Sequence, residues 1–243
     1  MSVYNTNFIR RFVEHSFEKL IAPATNFGNS SILDLGCGTK PFKDIYQKLF
    51  SKTVAGDYDR RINDETIIIL DAHNLPFENN AFDCVILTEV LEHLSEPEKC
   101  VSEIARVTKD GGNLILTVPF LHQLHEIPYD HFRFTEFQLD KLLTAHGFAI
   151  RLFKRRGNLF ILQLSFLEFI ISLIITALKK TYILWPLSLL LKWIFFGFFS
   201  MIYYLIIETQ FIHKDQTAIG KNLNGKNIFN IFPMGYCLVA EKC

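Results

Sequence analysis

Along most of the chain, short apolar runs alternate with amphipathic stretches. The runs Ser31 to Leu35, Thr53 to Asp57, Thr66 to Leu70, Phe82 to Thr88 and Asn113 to Val118 are compact and β-branched or apolar, as buried strands are. An N-terminal helix is predicted over about Thr6 to Ile21, and Pro41 to Phe50 is helical in pattern. Ser95 can cap a further helix with Pro97 in its first turn and Asp110-Gly111-Gly112 as its stop. Thr135-Glu136-Phe137-Gln138 reads as a capping box opening a helix that ends at Gly147, before a strand over about Phe148 to Phe153. Strands separated by helices imply a parallel, doubly wound α/β sheet, whose ligands bind beyond the carboxyl ends of the strands.

The pattern changes character once. From Asn158 to Ile207 the chain is overwhelmingly Leu, Ile and Phe, with Glu168, Lys179, Lys180 and Lys192 as its charges. Asn158 to Leu178 and Tyr182 to Ile207 each reach the roughly 20 residues that cross a bilayer. Asn158, Ser165, Glu168, Ser172, Thr176 and Lys179 recur at helical spacing, as do Ser188, Lys192, Ser200 and Tyr204. Folded about Lys180 and Thr181, the two segments form a hydrophobic helical hairpin with Glu168 and Lys192 at one level and Pro186 in a tolerated first-turn position. Arg151, Lys154, Arg155 and Arg156 precede it as a cytoplasmic juxtamembrane cluster would. The hairpin can span a membrane, lie in its interface, or pack against the domain or a partner subunit. Membrane association through residues 158–208 is the expectation. The domain division is then 1–157 with 213–243, interrupted by a hairpin at 158–212, and residues 215–227 form a polar loop.

Charge and composition narrow the partners. Lys plus Arg equals Asp plus Glu, so no basic field exists to attract a nucleic acid. Five scattered cysteines without a CxxC pair indicate reduced cytosolic thiols. The first residues carry charges throughout and lack the apolar core of a secretory signal, so the expected location is cytoplasmic.

Candidate chemistry begins at Ile32-Leu33-Asp34-Leu35-Gly36-Cys37-Gly38-Thr39, where a strand runs into a glycine turn that lets backbone amides approach a ligand. Asp57 closes the second strand, where a carboxylate can accept both hydroxyls of a ribose, and Tyr58 can pack on adenine. Asp71 closes the third, placed to accept from an exocyclic amine. Singly, each aspartate is an ordinary solvated strand end, and the turn needs no ligand. Their succession at neighbouring strand ends points to a nucleoside site.

The strings DLGCGT, GDYD, LDAHNLPFENNAFDCVILTEVLEHL and DGGNLILTVPF resemble class I S-adenosylmethionine-dependent methyltransferases, in the large subgroup that includes ubiquinone and menaquinone methyltransferases. The resemblance runs from about Ser31 to Arg151 and resumes at FPMGYCLVAEK. It implies a Rossmann-like seven-stranded sheet with its last strand, Gly235 to Glu241, antiparallel. It also implies S-adenosylmethionine as cofactor. Gly36, Cys37 and Gly38 then fall at the methionine part, with Asp34 also among the cofactor-binding residues, Asp57 and Tyr58 at the nucleoside, Asp71 and Ala72 at the adenine, and Thr88 and Glu89 beneath the sulfonium. A nicotinamide dinucleotide is disfavoured, because Phe42 or its neighbours stand where the third glycine of GxGxxG belongs.

Methyl transfer is an in-line displacement, in which holding the nucleophile on axis supplies much of the rate. An oxygen nucleophile of high pKa also needs a base. Candidates lie in FLHQLHEIPYDHFRFTEF, which resembles a segment near the acceptor pocket in the same subgroup; His125 or Asp130 is the expected base or acceptor-orienting group. Asp130 with Arg133 is equally a turn salt bridge, and His131 a surface residue. Glu89, Glu92 and His93 can share a helical face and supply hard ligands to a divalent metal. They resemble the ExxEH metal ligands of O-methyltransferases acting on ubiquinone precursors and small-RNA ends. The string also occurs in relatives that use no metal, and no metal is assigned. The expected function is methylation of an oxygen on a small, lipid-like or lipid-linked acceptor at the cytoplasmic membrane face. Competing readings are a soluble glycan or metabolite methyltransferase with an apolar oligomer interface, and a cofactor-binding pseudoenzyme acting in membrane assembly.

Overall fold

Helix α1 (Val3–Ser16) precedes seven strands and three further α-helices: β1 (Ser31–Leu35), α2 (Lys43–Tyr46), β2 (Lys52–Asp57), β3 (Ile67–Ile69), β4 (Phe82–Thr88), α3 (Pro97–Val107), β5 (Thr108–Pro119), α4 (Glu136–Ala145), β6 (Phe148–Arg156) and β7 (Gly235–Lys242) among the described residues. The computed structural model describes residues 3–17, 29–59, 64–157 and 233–243, with seven further residues between 161 and 174. The turn and second segment of the expected hairpin, the residues of both polar stripes, the Glu168–Lys192 pairing and the polar loop at 215–227 lie outside the described residues. Among the described residues, no helix is long and apolar enough to cross a membrane.

The strands form one sheet in the order β3-β2-β1-β4-β5-β7-β6, with β7 antiparallel to both neighbours. The near-continuous apolar character of β1, β4 and β5 has a simple cause: both faces of the sheet are covered. Leu33, Leu35, Val85, Leu87, Leu114 and Leu116 join a core with Val101 and Ile104 of α3 and Leu139 and Leu143 of α4. Their alternates Ile32, Cys84, Ile86 and Ile115 join a second core with Phe12 and Val13 of α1.

Helix α2 is a single turn, shorter than the helical pattern over Pro41 to Phe50, and both boundaries of α3 differ from the sequence reading. The residue before α3 is Glu96, with no side-chain cap, so Ser95 does not cap the helix and Pro97 alone sets its start. The expected stop at Asp110-Gly111-Gly112 lies inside β5 instead. Thr108 already pairs with Phe82, and the next pair is Cys84 with Asn113, so the glycines absorb surplus residues in a bulge, Gly111 at φ 73°. Thr135 caps α4 as expected, its hydroxyl accepting from the Gln138 amide at 3.2 Å.

The basic cluster at the end of β6 is also corrected. Arg151 pairs with Glu241, Arg155 with Glu136 and Arg156 with Glu89, while Lys154 is buried. Strand alternation sends these cations to opposite faces of the sheet, where they meet local acids. Arg155 and Arg156 are held in buried ion pairs, Lys154 is buried, and Arg151 pairs with Glu241 at the surface, so the four do not form one solvated juxtamembrane patch.

One edge matters for function. The carboxyl ends of β1 through β6 share it, and the chain diverges between β1 and β4: β2 and β3 lie to one side, β5 to β7 to the other. Such a divergence opens a crevice at the strand ends.

Candidate functional site

On one side of the crevice the glycine turn is fixed from beneath. The Gly36 and Cys37 amides both donate to the Gly56 carbonyl, at 2.8 and 3.1 Å. The Gly38 amide donates to Asp57 Oδ2 at 2.7 Å, and the Asp59 amide approaches Asp57 Oδ1 at 3.3 Å. These amides are therefore used to shape the turn, not held open for a ligand. The glycines serve conformation and clearance. Gly36 (φ 70°) lies against Val90, where a Cβ would stand 2.3 Å from a methyl; Gly38 (φ 51°) faces open space. Buried Lys40 follows, bonded through Nζ to Asp64 and Thr66, and so straps the turn to the segment before β3.

Beneath the turn, Asp34 is buried, and burial raises its carboxyl to about 7 against the opposing hydrogen bond from Tyr46. Its Oδ2 has no hydrogen-bond partner among the described residues. Tyr58 is 82% exposed and stands free beside the turn. Asp71 Oδ1 already accepts from the His73 amide and contacts the His73 ring at 2.7 Å; those contacts hold its carboxyl below the usual range.

The far side is built from residues 89–93 and the loop between β5 and α4. Glu89 follows β4 in left-handed backbone, φ 54°, which breaks any helix through this string. Leu91–His93 is a single 3-10 turn. Glu89, Glu92 and His93 therefore do not share a helical face. The Glu89 carboxylate turns instead to Thr117 Oγ1 at 2.9 Å and to the Arg156 guanidinium at 3.1 and 3.0 Å.

Glu92 is fully buried, and neither of its oxygens has a hydrogen-bond partner among the described residues. Its Oε1 stands 3.6 Å from His125 Nε2 and 3.7 Å from His93 Nε2. Burial pushes this carboxyl well up. The loop is anchored here because the His131 and Phe132 amides both donate to the Glu92 carbonyl. Asp130 accepts from the His125 amide at 3.0 Å, approaches its Nδ1 at 3.3 Å, and is gripped by both terminal nitrogens of Arg133. That grip holds Asp130 far below the ordinary carboxylate range. His125 is thus set between two carboxylates. The Glu92 carboxylate pushes its imidazolium up, against partial burial and with help from Asp130. His93 and His122 pack edge-on around its ring, and burial lowers both.

The sequence profile of the methyltransferase-domain family matches residues 33–116, from β1 to β5. This span holds the glycine turn, Asp57, Asp71 and Glu89. Residues 33–116 thus match a methyltransferase domain, and the seven-stranded sheet with its antiparallel last strand is the Rossmann-like fold of such domains. Demethylmenaquinone methyltransferase of Paenarthrobacter aurescens is 37% identical over 93 residues, covering 35% of this chain and 37% of that protein. The chain thus matches well under half the length of that relative. In fold it is similar to a SAM-dependent methyltransferase from Archaeoglobus fulgidus, with a TM-score of 0.52, 15% identity and coverage of 96% of this chain and 94% of that one. It is similar also to the [4+2]-cyclase SpnF, with a TM-score of 0.55, 19% identity and coverage of 96% and 81%. At such identities the likeness establishes fold only.

Within the methyltransferase domain, the expected residues fall into two groups. Asp34, Gly36, Cys37, Gly38 and Asp57 are assembled around one turn, with Tyr58 beside it; Asp71 and Ala72 lie one strand further out. Thr88 ends β4 and Glu89 follows it across the crevice, while His125 and Asp130 gather at Glu92, three residues on. A divalent cation has a candidate donor set in Glu92, His93 and His125, whose ligand atoms lie within 4.8 Å of one another. Three contributors have roles here that the sequence alone does not assign. Lys40 carried the faint signal of standing directly after GCGT. Glu92 carried none for its pairing with His125. Arg156 was assigned elsewhere by its nearness to the apolar segment.

The glycine geometry separates two substitutions. Gly36→Ala combines left-handed strain with a clash on Val90 and should destabilise the domain by about 2–4 kcal/mol. Gly38→Ala meets no neighbour and should cost about 1 kcal/mol. Urea unfolding of both variants checks the order, and a Gly38→Ala loss equal to that of Gly36→Ala would contradict the open face.

Proposed function

We propose that the chain transfers a methyl group from S-adenosylmethionine to an oxygen of a small lipid-like or lipid-linked acceptor, with His125 as the base. The observation that carries this reading is the placement of His125 between Glu92 and Asp130, on the same strand-end edge as the glycine turn and Asp57. The cofactor fits the near side on the structure's own terms: open space at Gly38, a carboxylate at Asp57 and an orphaned buried oxygen on Asp34. Asp57 would hold the ribose hydroxyls, Tyr58 and Ala72 would flank the adenine, and Asp71 would compete with His73 for its amine. Thr88 and Glu89 would stand where the ribose side gives way to the methyl. Bound, the cofactor supplies a methyl on a sulfonium that departs as a neutral thioether.

The protein's part is to orient the acceptor and take its proton. His125 Nδ1 is directed by Asp130, which leaves Nε2 to receive the acceptor's hydroxyl proton, with the Glu92 carboxylate beside it to stabilise the imidazolium. Asp130, held charged by Arg133, is a positioning residue rather than a base. A lipophilic acceptor is supported by exposed Leu124, Ile127 and Tyr129 on the His125 loop, and by half-exposed Leu167, Ile170, Leu173 and Ile174 in the segment after β6. The composition of residues 158–207 supports action at the cytoplasmic face of a membrane.

A second reading, metal-assisted O-methylation, is favoured by the close Glu92, His93 and His125 donors. Two imidazoles and one carboxylate suit a transition cation, for which the unpartnered Glu92 carboxyl would be a donor.

Asp57→Ala removes a carboxylate that would receive charge-assisted hydrogen bonds worth about 1.5–3 kcal/mol each, so calorimetry should show at least a roughly tenfold weaker cofactor affinity. Unchanged affinity removes Asp57 from the site.

The base predicts a pH dependence. His125 must be neutral to act, and its two carboxylates hold it protonated beyond the ordinary value of 6.5. Turnover should therefore rise with pH on a limb displaced above that value. Asp130→Asn removes one of the two charges and should move the limb to lower pH, with cofactor affinity kept. His125→Ala should bind cofactor and lose turnover; equal loss of both would place His125 elsewhere.

Chelation separates the two readings. Under direct His125 catalysis, exhaustively chelated protein keeps its activity. Loss on chelation, restored by manganese or zinc, would establish the metal reading.

A further inference from the structure

The Glu89–Arg156 pair is built across four strands. Glu89 follows β4, Thr117 of β5 donates to it, and Arg156 is the last residue of β6, fully buried, with β7 between. Gly235 of β7 pairs in register with Arg156, and a Cβ there would stand 2.5 Å from Arg156 Nη2 and 2.5 Å from the Val118 carbonyl oxygen. The missing side chain is the passage through which the guanidinium reaches Glu89. On its other flank, Glu89 precedes Val90, which packs against Gly36 of the cofactor turn. If the ribose lies at Asp57 on β2, a ligand extending across the divergence point arrives over the end of β4, at Glu89.

A carboxylate in this position has an electrostatic consequence. The methyl donor is a cation, and its demethylated product is neutral. An uncompensated, poorly solvated carboxylate beside the sulfur would stabilise the cation selectively, lowering the reactant more than the transition state in which the charge disperses. Bidentate pairing with Arg156 cancels that charge while fixing the carboxylate's orientation.

We propose that Arg156 is a positioning residue that neutralises Glu89, and so sets how strongly the site discriminates cationic S-adenosylmethionine from neutral S-adenosylhomocysteine. The proposal deepens the methyltransferase reading above and rests on it. Gly235 is the structural condition for it.

The test is calorimetric binding of the two nucleosides to the full chain and to its variants. Arg156→Gln should raise the ratio of Kd for S-adenosylhomocysteine to Kd for S-adenosylmethionine by about tenfold, because Glu89 is then unbalanced. Glu89→Gln leaves the guanidinium alone and should lower the ratio by a similar factor. Arg156→Lys, which keeps the charge, and the double variant Glu89→Gln with Arg156→Gln, which removes both charges, should stay near the wild-type ratio. Should Arg156→Gln fail to fold around its buried carboxylate, Glu89→Gln carries the same test with the opposite sign. If affinities for both nucleosides change equally in the single variants, the pair is only a structural bolt and the proposal is overturned. Wild-type protein that binds neither nucleoside overturns the methyltransferase reading itself, a result distinct from an unchanged ratio.

Discussion

Glu89 occupies a backbone region that a non-glycine residue keeps only when its surroundings over-determine it. Three contacts do so: its amide donates to the Thr117 carbonyl, its carboxylate accepts from the Thr117 hydroxyl, and Arg156 holds the carboxylate with two nitrogens. The reversal at Glu89 divides the five-residue string after β4 between two tasks. Glu89 is turned toward β5 and β6, and Val90 is pressed against the cofactor turn. Glu92 and His93 are delivered to the loop that carries His125. A regular helix here would have stacked the three polar side chains on one face and left His125 without its buried carboxylate.

Burial then determines what each carboxylate can do. Asp130 is paired with Arg133 and remains charged, so it directs a neighbour rather than exchanging a proton. Glu92, with no hydrogen-bond partner among the described residues, is raised well above the ordinary carboxylate range by desolvation. Asp34 is raised for the same reason beneath the glycine turn. Three acids within one edge are thus set to different protonation behaviour by environment alone, the usual way a single fold obtains separate roles from one functional group.

The ion pairs of β6 bear on the membrane expectation. Arg155 and Arg156 are committed to Glu136 and Glu89, Arg151 to Glu241, so the cations ahead of the apolar segment bolt the sheet together. Any attraction of the chain to a lipid surface would rest on apolar area around the site mouth and the segment after β6, rather than on this cluster.

The sequence by itself determined the order of elements, the double-sided burial of β1, β4 and β5, the antiparallel last strand through its family resemblance, and the strand-end positions of Gly36, Asp57 and Asp71. Each of these depends on residues within a few positions of one another: a hydrophobic period, a glycine turn, an acid at the end of a run. Tertiary structure alone decided the rest. It gave Gly36 and Gly38 their reasons, clearance from Val90 in one case and open space in the other, where local reading offered only free amides. It joined Glu92 to His125 across a loop, and Glu89 to Arg156 across 67 residues of chain. A charge in a sequence announces that a partner is needed; which partner it meets is set by strand order, and strand order is a property of the whole sheet.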